Sequence, residues 1–205
     1  MRNGQILVVV VVLGLVGAGV AGLGAARAAD SAPTARAAES ASNSAAASKS
    51  AAASKSAARA AAEQLSAQEE KLRTSLAQTS AVVVHAENAI ELWYPVRLAF
   101  VPDGNELLPT GAALLDLIAR SLREYTHSEV VVAVYTDAIG NSEYNQGQSQ
   151  ARATALVEEL ESRGIAAARL VARGMGESAQ LEAPNTPEGR DLNRRVQFVI
   201  TPLSS

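Results

Sequence analysis

An unbroken apolar run, Val130 to Val134 followed by Tyr135, ends at Thr136 and the carboxylate of Asp137. It lacks the polar alternation of a half-solvated strand and therefore reads as a strand buried on both faces. A carboxylate at the end of such a strand stands at the rim of the core. Further along, Arg152 falls inside a helical pattern whose inward face follows from geometry. At about 100° per residue, Arg152 shares a sector with Leu156 and Leu160 rather than with Thr154, Glu158 and Glu161. An arginine on the core side of a helix needs a partner. The residues alone leave two readings open: a mutual Asp137–Arg152 salt bridge, or two separate poles that meet a ligand.

The stock for a core is unevenly distributed. Hydrophobic residues make up 48% of the 205 residues, but many are alanines in the first third or valines near the start. The core-forming residues concentrate after Val82, which predicts one domain of roughly 120 residues there. A net charge of −3 without a clustered basic face excludes nucleic acid as an expected partner. The chain has no cysteine, which removes disulfides, thiol catalysis, cysteine-bound metal and a lipid-bearing N-terminal cysteine.

Three segments precede or form that domain. Residues 1–28 read as a signal peptide or an uncleaved transmembrane anchor: Ile6 to Leu23 is eighteen residues without a charge, and Ala26-Arg27-Ala28 fits a small-x-small cleavage site. Either version carries the rest of the chain out of the cytoplasm, with the N-terminal helix as a membrane contact if it is uncleaved. Residues 29–80 form a low-complexity Ala/Ser/Lys tether with AAASKS repeated at Ala45 and Ala51. Its first part is expected to be frayed or disordered and its end, from Ala57 to Gln78, helical. Leu65, Leu72 and Leu76 recur at spacings of seven and four, which suggests a short coiled coil and self-association. About 50 residues reach roughly 40 Å as coil and up to about 75 Å as helix.

Residues 82–202 carry the folded pattern. Val82 to Val84 and Ile90 to Trp93 read as strands around an Ala86-Glu87-Asn88 turn, with Arg97 to Phe100 continuing the second strand or starting another. Pro109 suits the first turn of a helix with a Leu114, Leu117, Ile118, Leu122, Tyr125 stripe. Strand Glu129 to Tyr135 comes next, then a helix from Asn141 or Ser142 to Arg163, closed by Gly164. Arg169 to Arg173 reads as a strand, Gly174 to Arg190 as a loop with a short turn at Pro187, and Arg195 to Thr201 as a last strand with Val196, Phe198 and Ile200 inward. The order βαβαβ with an added final strand predicts an α/β (α+β) two-layer sandwich, a mixed sheet with helices on one face.

Several motifs occur in a consistent order: Phe100 with Leu107, Pro109 and Gly111; Thr136-Asp137 with Gly140; Asn145, Ser149, Arg152 and Ala153; Gly174-Met175-Gly176-Glu177; and Asn185, Gly189-Arg190 and Asn193-Arg194-Arg195-Val196. In this the segment resembles the C-terminal domain of the OmpA family, which binds peptidoglycan in the periplasm of Gram-negative bacteria. The resemblance implies a pocket for the diamino acid of the peptidoglycan stem peptide. That ligand carries an ammonium and a carboxylate on one carbon. Asp137 would hold the ammonium and Arg152 the carboxylate, Asn145 and Arg194 would line the pocket, and Asp103 would stand at its rim. The chain departs from the family pattern at Val134, where glycine is usual, at Gln148, where leucine is usual, and at Val101, where aspartate is common.

No nucleophile elbow, phosphate loop or serine–histidine arrangement is present, and His85 and His127 have no metal-ligand spacing. The GMGE run lacks the strand-to-helix context of a dinucleotide site and reads as turn glycines. The expectation is a non-enzymatic module, without cofactor or metal, that tethers the envelope to the wall and stands associated with the outer membrane or anchored in the inner one. The alternative is a wall-gripping subunit of an inner-membrane machine, stator-like or secretion-like; a wall-modifying enzyme is disfavoured because no acid/base or metal constellation accompanies the pocket. An ion-conducting stator subunit needs an acidic residue in its membrane helix, and Ile6 to Leu23 has none.

Overall fold

Alanine is the strongest helix former, and here it outweighs the interspersed serines over a longer span than the composition suggests. The computed structural model describes residues 33–183 and 185–203, and α1 runs from Pro33 to Leu76. The tether is thus helical from Pro33, where a frayed segment was expected. The expected signal or anchor, residues 1–28, lies outside the described residues. Among the described residues no helix is long and apolar enough to cross a membrane. The chain divides into two units, residues 1–57 and 58–205.

The second unit begins well before Val82, and its first element overturns the coiled-coil expectation. Leu65, Leu72 and Leu76 are buried in the domain's own core, at 5%, 0% and 2% exposure. A seven-and-four leucine spacing marks a seam, but not whose surface fills it; here the seam faces the same chain. Between those leucines, buried Gln68 donates to Ser121 Oγ at 3.3 Å, and Lys71 pairs with Glu124. Glu69 joins Arg73 at 2.7 Å to His85 Nδ1 at 2.5 Å. Burial raises the Glu69 carboxyl, but hydrogen bonds from His85 and Arg73 outweigh it and leave the group below its ordinary value. A carboxylate depressed in this way stabilises the fold above its unfolded pKa of about 4.3 and loses that contribution as pH falls through the lower, folded value. Urea titrations below about pH 4.3 are expected to show an acid-dependent loss that Glu69→Gln diminishes. An identical acid limb in both proteins would refute the assignment.

The sheet has the order β1-β2-β5-β3-β4. Its strands are β1 Val82–Ala86, β2 Ala89–Pro95, β3 Ser128–Tyr135, β4 Leu170–Gly176 and β5 Arg195–Pro202. β3 and β4 are parallel and every other pair is antiparallel, giving the expected mixed sheet. Alternate residues Ile90, Leu92, Val130, Val132, Val196, Phe198 and Ile200 enter the core with the helices. On the other face Val131 and Val199 are only partly buried, while Ala133 and Tyr135 are buried, the latter under Arg195. Over the apolar run β3 is thus buried on both faces, as that run implies, except at Val131.

Between β2 and β3 the chain makes two helices. Arg97 to Phe100, expected to continue the second strand or start another, falls instead in a single turn, α2, Val96–Ala99, closed by Phe100 N–H to Val96 O at 3.0 Å. Pro95 ends the strand because it has no N–H for the ladder. α3, Pro109–Glu124, starts at the expected proline and buries Leu114, Leu115, Ile118 and Leu122. Leu115 takes the inward position assigned to Leu117, which is partly buried.

α4, Ser142–Ser162, is capped by Asn141, whose side chain accepts from Tyr144 N–H at 3.0 Å. It lies close on β4 because Gly174 has no side chain: a Cβ there would stand 2.3 Å from Gln150 N. The GMGE glycines are thus not all turn residues, since the strand continues to Gly176, which turns at φ +52°. After the next loop, α5, Pro187–Asn193, replaces the short turn expected at Pro187, and Thr186 caps it by accepting from Gly189 N–H at 3.0 Å.

Candidate functional site

The C-terminal end of β3, the first turns of α4 and the loop before α3 meet around one cleft of about 480 Å³. All five sequence-nominated residues, Asp103, Asp137, Asn145, Arg152 and Arg194, line it. β3 delivers Asp137 to the rim, where Thr136 N–H still bonds to Gly176 O at 2.8 Å. The carboxylate is 8% exposed; its Oδ1 accepts from Ile139 N–H at 3.3 Å and its Oδ2 accepts from Arg194 Nη1 at 2.5 Å. The salt bridge left open by the sequence is therefore made with Arg194, not with Arg152. Arg194 also pairs with Asp191 one turn earlier.

Arg152 comes to the cleft from the inward face of α4, below Asn145 and Ser149 and above Leu156, as the helical sector predicts. It is 6% exposed, donates Nε to Gly104 O at 2.8 Å and lies 5.5 Å from the centre of the Phe100 ring. Among the described residues it forms no ion pair. Burial lowers its pKa from the ordinary arginine value, while the Asp103 carboxylate, followed by Tyr144, pulls it up again. A guanidinium stays charged despite that cost. The result is a buried cation whose terminal nitrogens remain available to an anion.

Asn145 has a part besides lining the cleft. Its Nδ2 lies within hydrogen-bond reach of Asp137 O at 3.4 Å, Ile139 O at 3.1 Å and Glu177 Oε2 at 3.4 Å, so it fastens the Asp137 loop to α4. Asp103, at the rim, adopts φ +56°, a left-handed conformation that is uncommon outside glycine, and its carbonyl accepts from Gln148 Nε2 at 3.3 Å. Gln148, where the resembling family carries leucine, also reaches Tyr144 Oη at 3.1 Å. It is a polar clamp on the rim. Val134 is fully buried in the core and does not line the cleft, so its bulk does not narrow the approach to Asp137.

Sequence reading missed Tyr144, Gln148 and Ile139, all of which line the cleft. Ile139 and Tyr144 are 60% and 61% exposed there. The signal for two of them was available: Tyr144, Gln148 and Arg152 are spaced by four residues and share one stripe of α4. Thr136 also lines the cleft, with a buried hydroxyl that has no hydrogen-bond partner among the described residues.

Residues 99–194 match the OmpA family. The chain is 33% identical over 139 residues to the Probable lipoprotein YiaD of Escherichia coli (strain K12), covering 68% of this chain and 64% of that protein. It is 33% identical over 103 residues to the peptidoglycan-binding protein ArfA of Mycobacterium tuberculosis (strain ATCC 25618 / H37Rv), covering 50% of this chain and 32% of that protein. Thus it spans less than two thirds of the length of either curated relative. Among solved structures, the cell wall anchor of the T6SS from Pseudomonas aeruginosa is similar with a TM-score of 0.58 and 25% identity, over 65% of this chain and 99% of that one.

Proposed function

We propose that the OmpA-family domain at residues 99–194 binds peptidoglycan non-covalently and so ties the cell envelope to the wall. The observation that carries the reading is the buried Arg152, without a carboxylate partner, in the same cleft as the buried carboxylate of Asp137. A ligand with an ammonium and a carboxylate on one carbon matches both poles, and the diamino acid of the stem peptide is such a ligand. Asp137 takes the ammonium. Arg152 takes the carboxylate through two parallel N–H donors. Asn145 holds the Asp137 loop, Arg194 forms the wall beside Asp137 and Asp103 the rim beside Arg152. Recognition is an equilibrium and no covalent step is involved. The likeness to ArfA, a peptidoglycan-binding protein, and to the T6SS cell wall anchor supports the ligand class.

This reading puts the domain on the periplasmic face of a Gram-negative envelope, delivered there by residues 1–28 as a signal or held there by them as a membrane anchor. Co-sedimentation with purified peptidoglycan tests it. The protein is expected in the pellet and is expected to be released by free diaminopimelic acid. Protein that stays in the supernatant would sink the proposal.

The likeness to a T6SS wall anchor favours a second reading, in which the domain is the wall-gripping part of an inner-membrane machine. The mass of the mature N-terminus separates the two. A start at Ala29 supports the peripheral tether, and an intact Met1 or Arg2 supports the membrane-held subunit.

A further inference from the structure

The two poles of the cleft are not equally accessible. Arg152 commits only Nε, to Gly104 O, and keeps its terminal donors. Asp137 has both oxygens engaged, one by the Ile139 amide and the other by Arg194 Nη1 at 2.5 Å. The seat for a ligand's ammonium therefore already holds a cation. That cation has somewhere else to go: Arg194 Nη2 pairs with Asp191, whose carboxylate lies 4.0 Å from Arg97. The two partners also differ in freedom. The Asp137 side chain is 11% exposed and the Arg194 side chain 40%, so the carboxylate is the fixed member and the guanidinium the one able to swing.

We propose that Arg194 is a resident competitor for the ammonium seat: a ligand ammonium displaces it from Asp137, and Arg194 falls back onto Asp191. This rests on the reading of the cleft as a receptor for a zwitterion and deepens it. Binding then exchanges one cation for another on Asp137 instead of creating a new ion pair from a bare carboxylate. The net gain at that pole is small, and most of the affinity comes from Arg152 meeting the ligand carboxylate. A ligand with an ammonium alone has to displace Arg194 without that second contact and binds poorly. A ligand with a carboxylate alone leaves Arg194 in its seat. Only a group that carries both charges close together uses both poles, so the competitor sharpens selection for an amino-acid head.

Calorimetric titration of the full chain with free diaminopimelic acid tests this. Arg194→Met removes the competitor and is expected to tighten binding about twofold to fivefold, the scale of a partly exposed ion pair. Asp191→Asn removes the fallback and is expected to weaken binding by a similar factor. In an Arg194→Met background the Asp191 substitution is expected to have no effect, a coupling that general loosening of the fold does not produce. Arg194→Lys keeps the charge, loses the fork that spans both aspartates, and is expected to fall between wild type and Arg194→Met. Weaker or unchanged binding by both Arg194 variants would overturn the proposal, as would an Asp191→Asn effect that persists without Arg194. Failure of the underlying site reading looks different: wild type and Arg152→Ala would then bind the ligand equally, whatever stands at position 194.

Discussion

Arg152→Ala is expected to abolish retention on purified peptidoglycan, with affinity for the free diamino acid reduced at least about 30-fold. Removing one partner from a desolvated, hydrogen-bonded charge pair costs roughly 2–5 kcal/mol, because the ligand carboxylate enters the cleft and finds no cation. The same substitution removes the Nε bond to Gly104 O and the contact with Phe100, so some loss of stability accompanies it. Arg152→Lys separates the two effects. It keeps a charge but not the planar fork, and is expected to bind measurably but weakly. Asp137→Ala is expected to weaken retention less than Arg152→Ala does, because Arg194 already offsets that pole, and it leaves Arg194 paired with Asp191. Circular dichroism and thermal unfolding of each variant establish that the fold persists. Wild-type retention in a folded Arg152→Ala protein would refute the site.

The second large effect lies far from the cleft. Leu72 is fully buried, and Leu72→Ala is expected to destabilise the unit by roughly 2–5 kcal/mol, the range for opening a cavity in a packed core. The denaturation midpoint should fall with little change in slope. A chain beginning at Val82, the boundary the sequence suggests, loses all three buried leucines together with the Gln68, Glu69 and Lys71 contacts. It is expected to be much less stable than a chain beginning at Ala58. Equal midpoints for the two would mean that residues 58–76 of α1 contribute nothing to the fold.

What the sequence disclosed and what it hid differ in kind. The inward sector of α4 was legible because a helix fixes the angle between Asn145, Arg152, Leu156 and Leu160 wherever the helix packs. The end of β3 was legible because an apolar run closed by a carboxylate has few places to go. The partner of Asp137 was not legible. Arg194 lies 57 residues away and reaches the cleft only because α5 forms where the pattern showed a loop with a turn. The leucines of α1 were visible as a seam, yet inter-chain and intra-chain seams share one spacing, and only the packing against Ser121, Glu124 and His85 tells them apart. Arg97 to Phe100 misled because a four-residue stretch with three apolar residues suits a strand or one helical turn equally, and Pro95 decides against the ladder. Gly174 was read as a turn residue because sequence shows that a side chain is missing, not what comes to lie against the backbone there.

The burial of α1 has a mechanical consequence. Tension applied to the chain ahead of Ala58 does not fall first on an edge strand, where ladder hydrogen bonds break one after another. It enters through α1, passes to α3 by the Gln68–Ser121 and Lys71–Glu124 contacts, and crosses to α4 by the 2.7 Å Arg163–Asp116 ion pair. α4 is the element that carries Arg152. On the proposed reading, a load between envelope and wall would thus run from helix to helix into the element that carries Arg152, with the Glu69–His85 contact passing a share to the hairpin of β1 and β2.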